Sequence, residues 1–196
     1  MTEGDAKKGH VIDVGKLPQH YPTNHMPTEF WEVLGRAVAT FGFLEEVLGK
    51  AIYAFTATQL YDDEATLLAE FDKWNAALER ALSDQLGALI DSYAKAVKGR
   101  TGQDAYENEL IDDLRKAAKL RNILCHGSWR MPDEAGRSIP FFVTKKLEIC
   151  ETPVDVEFLN ATQRAVAELS CCVINTVSAT GLQFPGSGGP GKVIGG

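Results

Sequence analysis

The sequence predicts an all-α protein: an antiparallel bundle of four to five helices, with a small β-hairpin inserted before the last one. Apolar residues recur at three- and four-residue spacing over long stretches, which is the signature of helices with one buried face. Only one short region alternates as strands do. A length of 196 residues, 44% of them hydrophobic, supports one well-buried core and is short for two ordinary domains.

Residues 1–27 carry Gly4, Gly9, Gly15, Pro18, Pro22 and Pro27 with little periodicity, and read as a flexible N-terminal arm. His10, His20 and His25 lie there without cysteine or acidic partners at helical spacing, so no metal site is predicted. The folded domain is placed at residues 28–181. Thr28 is the expected N-cap of a first helix whose stripe (Phe30, Leu34, Ala37, Phe41, Leu44, Leu48, Ile52, Phe55) runs to about residue 57. A second helical region is expected from about Asp63 to Val97, with Ser83-Asp84 as a candidate break. Gly99-Arg100-Thr101-Gly102 marks a turn, and a third helix follows from about Gln103 to Cys125, ended by Gly127 in the left-handed conformation. Ser128–Met131 and Phe141–Ile149 read as two strands of a hairpin at about 128–149, joined through Pro132-Asp133-Glu134-Ala135-Gly136. A final helix is expected from about Val154 to Thr180, and residues 182–196 read as a Gly-rich flexible tail. No period of twenty to fifty residues recurs, which argues against a solenoid.

A net charge of −7 argues against a protein that coats nucleic acid non-specifically, because that mode depends on many cation–phosphate contacts. Locally the balance reverses. Lys116, Lys119, Arg121, Arg130, Arg137, Lys145 and Lys146 fall within one stretch, read either as a solvated helix end or as a cationic site. Cys125, Cys150, Cys171 and Cys172 form no C-x-x-C pair, so reduced and mostly packed thiols are expected. The N-terminus lacks the apolar stretch of a signal peptide, and the most apolar later segment is interrupted by Glu168 and Asn175. A soluble, cytoplasmic protein without membrane attachment is expected.

Two motifs bear on chemistry. Gly186 to Lys192 satisfies the G-x4-G-K spacing of a phosphate-binding loop, but Val193 stands where a magnesium-binding Ser or Thr belongs. No strand precedes the loop and no helix follows it, so it is read as tail. The second motif is Leu120-Arg121-Asn122-Ile123-Leu124-Cys125-His126-Gly127. Tyr106, Leu110, Leu114, Ala117, Leu124 and Cys125 share one stripe of the third helix, and Arg121 falls in its middle, where leucine would be ordinary. A guanidinium there must reach a carboxylate, a phosphate or the solvent edge. Glu45, at the margin of the first stripe, is either a half-exposed glutamate or the buried partner of Arg121.

Arg121, four intervening residues and His126, with Asn122 after the arginine and Gly127 after the histidine, resemble the motif of the HEPN superfamily of helical domains. The likeness extends more loosely to Phe41-Gly42-Phe43-Leu44-Glu45 and to the helical order over residues 28–181. It implies a metal-independent endoribonuclease, needing no cofactor, that acts as a homodimer in defence or toxin–antitoxin systems, with an antitoxin or other regulatory protein as a partner. It also implies roles: His126 as general base or acid, Arg121 as phosphate clamp, and Asn122 as the residue that orients histidine or substrate. Lys119, Trp129 and Arg130 are the candidate RNA-binding residues, although a tryptophan at this position also reads as packing against the bundle. The alternative is a non-catalytic module of the same kind that binds RNA, a nucleotide or a partner protein. His126 would take or give a proton because imidazole titrates near neutrality. Residues five apart on a helix diverge by about 140°, so Arg121 and His126 converge only if the helix unwinds or a second subunit contributes.

Overall fold

The computed structural model describes residues 11–57, 71, 75–76, 85–101, 105–143 and 149–186. Among them are four long helices: α1 (Thr28–Thr56), α2 (Leu86–Thr101), α3 (Ala105–His126) and α4 (Val156–Ala179). The chain is therefore all-α in this part, a helical bundle with an irregular insertion between α3 and α4.

α1 is the central element because its apolar residues cover more than one stripe. The expected positions Phe30, Ala37, Phe41, Leu44, Leu48 and Phe55 are buried, and Val47, Ala51 and Ala54 widen the buried face. α1 packs most extensively against α4 and then α2, while α3 leans on α2 and touches α1 and α4 more lightly. Ile90, Tyr93 and Val97 from α2, Leu110 and Leu114 from α3, and Leu159, Val166 and Val173 from α4 complete one continuous core.

The ends of the helices depart from the sequence expectation at single residues. Pro27, extended at φ −66° and ψ 155°, occupies the N-cap of α1, and Thr28 is already helical, so its hydroxyl makes no cap. α2 continues through Gly99, Arg100 and Thr101 where a turn was expected, whereas residues 58–70, 72–74, 77–84 and 102–104 lie outside the described residues. α4 begins two residues later than expected: Asp155 is its N-cap, accepting from the Phe158 amide at 2.7 Å. Val154 is instead buried and paired with Ser138. Gly181, after α4, is left-handed at φ 78°, whereas Gly127, after α3, is not in that region. Phe184 is buried and Leu182 packs on the core, so ordered packing extends into the segment expected to be tail, up to residue 186. Residues 187–196, which hold the rest of the G-x4-G-K motif, lie outside the described residues.

The expected hairpin reduces to isolated antiparallel bridges, Ser128 with Phe141, Ser138 with Val154, and Val143 with Ile149. Pro132 and Pro140 withhold backbone donors, and Ser138 pairs away from Ser128–Met131, toward the entry of α4. Between the bridges, Asp133 closes a turn by accepting from the amides of Ala135 and Arg137 at 3.0 and 2.9 Å. Two ion-pairing groups of Arg137 reach the same carboxylate, at 3.0 and 2.9 Å. Hydrogen bonding from the Arg137 amide, then from its side chain, holds the Asp133 carboxyl below the usual range. No helix among the described residues is long and apolar enough to cross a membrane.

Candidate functional site

The site is built at the C-terminal end of α3. Leu110, Leu114, Ala117 and Leu124 turn one face of this helix into the core. Arg121 lies on that side but is only half-buried, because its guanidinium reaches Glu45 of α1 with Nη2 at 3.7 Å from Oε1. Side-chain exposures of 29% and 34% leave both groups in contact with water. The separation is too long for a hydrogen bond, so this is a loose ion pair worth about 0–1 kcal/mol. Cys125, expected on the buried stripe, is exposed, as is Cys171: Leu124 takes the core-facing position of the last turn and Cys125 lies about 100° round from it.

The other candidate side chains lie on a different face. At about 100° per residue, Lys119, Asn122 and His126 fall within about 60° of one another, and all three are exposed. Asn122 links the two faces. Its Oδ1 accepts from Arg121 Nη1 at 3.3 Å, which leaves the amide NH2 group of this exposed residue as a donor. α3 stays helical through His126, with the Gly127 amide donating to the Ile123 carbonyl at 2.8 Å. Within one chain Arg121 and His126 therefore keep their divergence of about 140°.

Several cations in and beside this basic stretch are already matched with carboxylates, while Lys145 and Lys146 lie outside the described residues. Arg115 pairs with Asp91 at 2.9 Å, Lys116 with Asp113 at 2.7 Å, and Arg137 with Asp133 at 2.9 Å. The hydrogen bond from Lys116 to Asp113 raises the Lys116 pKa above its ordinary value. Among the described residues, no carboxylate pairs with Lys119 or Arg130. These two cations precede and follow His126 in the chain, Lys119 on the same helical face and Arg130 four residues beyond the helix end.

The insertion presses closely on this helix end. A Cβ at Gly127 would meet the Ile123 carbonyl oxygen at 2.6 Å and Pro140 Cβ at 2.7 Å, so only glycine admits the approach. Trp129 faces inward, its ring meeting Phe30 at 5.0 Å and Trp31 at 6.3 Å in edge-to-face contacts. That places it in an aromatic cluster under the site, in the packing role that the sequence offers beside a base-stacking one. The exposed aromatic is Phe141, with the Arg130 guanidinium over its ring at 4.8 Å from the centroid. Sequence reading assigns Phe141 only a strand role; the alternation of exposed Phe141 with half-buried Phe142 is the signal that distinguishes them.

A concavity of about 580 Å³ runs between α3 and α4, lined by Leu120, Phe158, Ala165 and Leu169 among others. It opens on a different face of α3, and its one cation, Lys116, is tied to Asp113, so it is not part of this site. No group of three or more His, Cys, Asp or Glu side chains able to hold a metal occurs among the described residues. The chain matches no family model, no curated protein and no solved structure.

Proposed function

We propose that this protein is a HEPN-like endoribonuclease that cleaves RNA without a metal ion and works as a homodimer. The observation that carries the reading is the exposed His126 with two cations nearby in sequence, Lys119 and Arg130, that no described carboxylate neutralises. Imidazole is the group best suited to move a proton at neutral pH, and uncompensated cations attract phosphate.

The reaction is an internal transesterification. The ribose 2′-oxygen attacks the adjacent phosphorus as its proton leaves; the new O2′–P bond forms and the P–O5′ bond breaks. The departing 5′-oxygen takes up a proton, giving a 2′,3′-cyclic phosphate and a 5′-hydroxyl end. His126 handles one of these proton transfers, while Lys119 and the amide NH2 of Asn122 hold the non-bridging oxygens as charge grows on them. Arg121 joins as a phosphate clamp, its loose attachment to Glu45 giving way to a stronger anion. Because α3 remains helical through His126, the complete Arg121–His126 pair comes from two subunits. The setting in defence or toxin–antitoxin systems, with an antitoxin or regulator as partner, follows from the motif resemblance alone.

A second reading, a non-catalytic RNA-binding module, draws on the ion pair between Arg121 and Glu45, which already engages the guanidinium. One experiment separates the two. The full chain is incubated with RNA in EDTA beside Arg121→Ala and His126→Ala, and product ends are analysed. We expect cyclic-phosphate ends from the wild type and a loss of about 10²- to 10⁴-fold in rate for His126→Ala. Unchanged cleavage in both variants removes the pair from the mechanism, and binding without cleavage by the wild type selects the second reading.

A further inference from the structure

Arg130 and Phe141 are brought together by the irregular insertion rather than by a regular hairpin. The Ser128 and Phe141 backbones exchange hydrogen bonds of 2.9 and 2.7 Å, which fixes Phe141 beside the residue two positions after His126. Ser138 is fully buried, and its hydroxyl donates to the Arg130 carbonyl at 2.7 Å, which fixes the other strand of the insertion. Both side chains are thus carried on anchored backbone. Yet both are exposed: Phe141 keeps 43% of its surface in water, although a phenylalanine of this fold gains by burial. Arg130 covers part of the ring and has no carboxylate partner among the described residues.

An exposed ring, a planar cation over it and the proposed proton-transfer residue His126 nearby in the chain suit a ligand with both a flat π-surface and a phosphate. We propose that Arg130 and Phe141 form a stacking platform for one unpaired nucleobase of single-stranded RNA, next to the phosphate cleaved at His126. The inference rests on the ribonuclease reading above and names its substrate class. A base inside a duplex has both faces covered by its neighbours, so the platform selects single strands, loops or ends. Stacking tolerates any base, so the platform sets strandedness and register more than sequence.

The test is a binding titration of the full chain with a short, labelled, 2′-O-methylated RNA, which binds as RNA does but cannot be cleaved. It is run single-stranded and annealed to its complement. Phe141→Leu keeps an apolar side chain and removes the π-face; Phe141→Trp keeps the face and enlarges it. We expect Phe141→Leu to weaken single-strand binding about five- to hundredfold, Phe141→Trp to bind at least as well as wild type, and duplex binding to ignore both changes. Thermal unfolding of each variant identifies any loss that comes from misfolding, and Phe141→Trp then carries the comparison. Single-strand binding by Phe141→Leu within about twofold of wild type overturns the platform, and so does an equal loss on duplex or no wild-type binding to single strands. If the chain cleaves no RNA but Phe141→Leu still releases single strands, the platform stands and the catalytic reading falls. If cleavage holds and Phe141→Leu changes nothing, the platform alone falls.

Discussion

Replacing Gly127 by alanine adds one methyl group at the point where the insertion crosses the end of α3. That methyl would sit 2.6 Å from the Ile123 carbonyl oxygen and 2.7 Å from Pro140 Cβ, against ordinary contacts of 3.4–4 Å. One neighbour is backbone and the other is a rigid ring, so relief requires a chain shift. Overpacking of this kind costs about 1–3 kcal/mol, partly offset by the ~0.4–1 kcal/mol that alanine contributes by restricting the unfolded chain. The net loss lowers Tm by about 2–4 °C per kcal/mol for a chain of this size. Gly42, exposed in the middle of α1, provides the opposite case, since a Cβ there meets nothing within 4 Å. Gly42→Ala should raise stability by about 0.5–1 kcal/mol through helix propensity. Far-UV circular dichroism melts of the two variants read opposite signs from the same chemical change. Hydrogen exchange at the Ser128 and Phe141 amides then reports whether the clash has lifted the insertion off the helix. Gly127→Ala melting at or above wild type would refute the close-approach argument.

Lys119→Ala and Arg130→Ala should each reduce the salt dependence of single-strand RNA binding, with the slope of log K against log salt falling by roughly 0.7 for each phosphate no longer neutralised; an unchanged slope places that cation off the RNA path. The Asp133 turn should be acid-sensitive. Its carboxyl pKa is depressed on folding, chiefly by the Arg137 amide, so its stabilising contribution is present above the unfolded pKa and fades as pH falls through the lower folded value. Amide exchange at Ala135 and Arg137 should therefore accelerate only in that acidic window, beyond the intrinsic pH dependence of exchange, and Asp133→Asn should abolish the effect.

Long periodic features were legible in the sequence because many residues vote for them. The α1 stripe from Phe30 to Phe55 is buried as its spacing requires, and α3 forms around Leu110, Leu114 and Leu124. Features decided by one residue were not. Thr28 and Pro27 both suit the start of a helix, and only the extended conformation of Pro27 selects it as the cap. Gly127 and Gly181 both follow a helix, but Gly127 is needed for the approach of Pro140 and Gly181 for its left-handed turn. Of the expected hairpin, isolated bridges such as Ser128–Phe141 are present, Ser138 pairs instead with the distant Val154, and residues 144–148 of its second strand lie outside the described residues. Trp129 stood out in the sequence as the aromatic residue near His126 and Phe141 only as part of a strand; the fold sets Phe30 and Trp31 against the first and leaves the second in water. Arg121 was readable as an anomaly, and Glu45 as its candidate partner, from the helical stripe alone; the length of their contact was not.

The fastenings of the insertion have a further consequence. The Ser128–Phe141 and Ser138–Val154 bridges are made by peptide groups, and the Ser138 hydroxyl grips a carbonyl rather than a side chain. Main-chain pairing is largely indifferent to side-chain identity. Positions such as Arg130, Met131 and Phe141 can therefore be exchanged without loosening the loop or disturbing the bundle beneath it. On the proposed function, the insertion would serve as an exchangeable contact surface on a helical body, so that substrate preference could change there while the helices and their core stay the same.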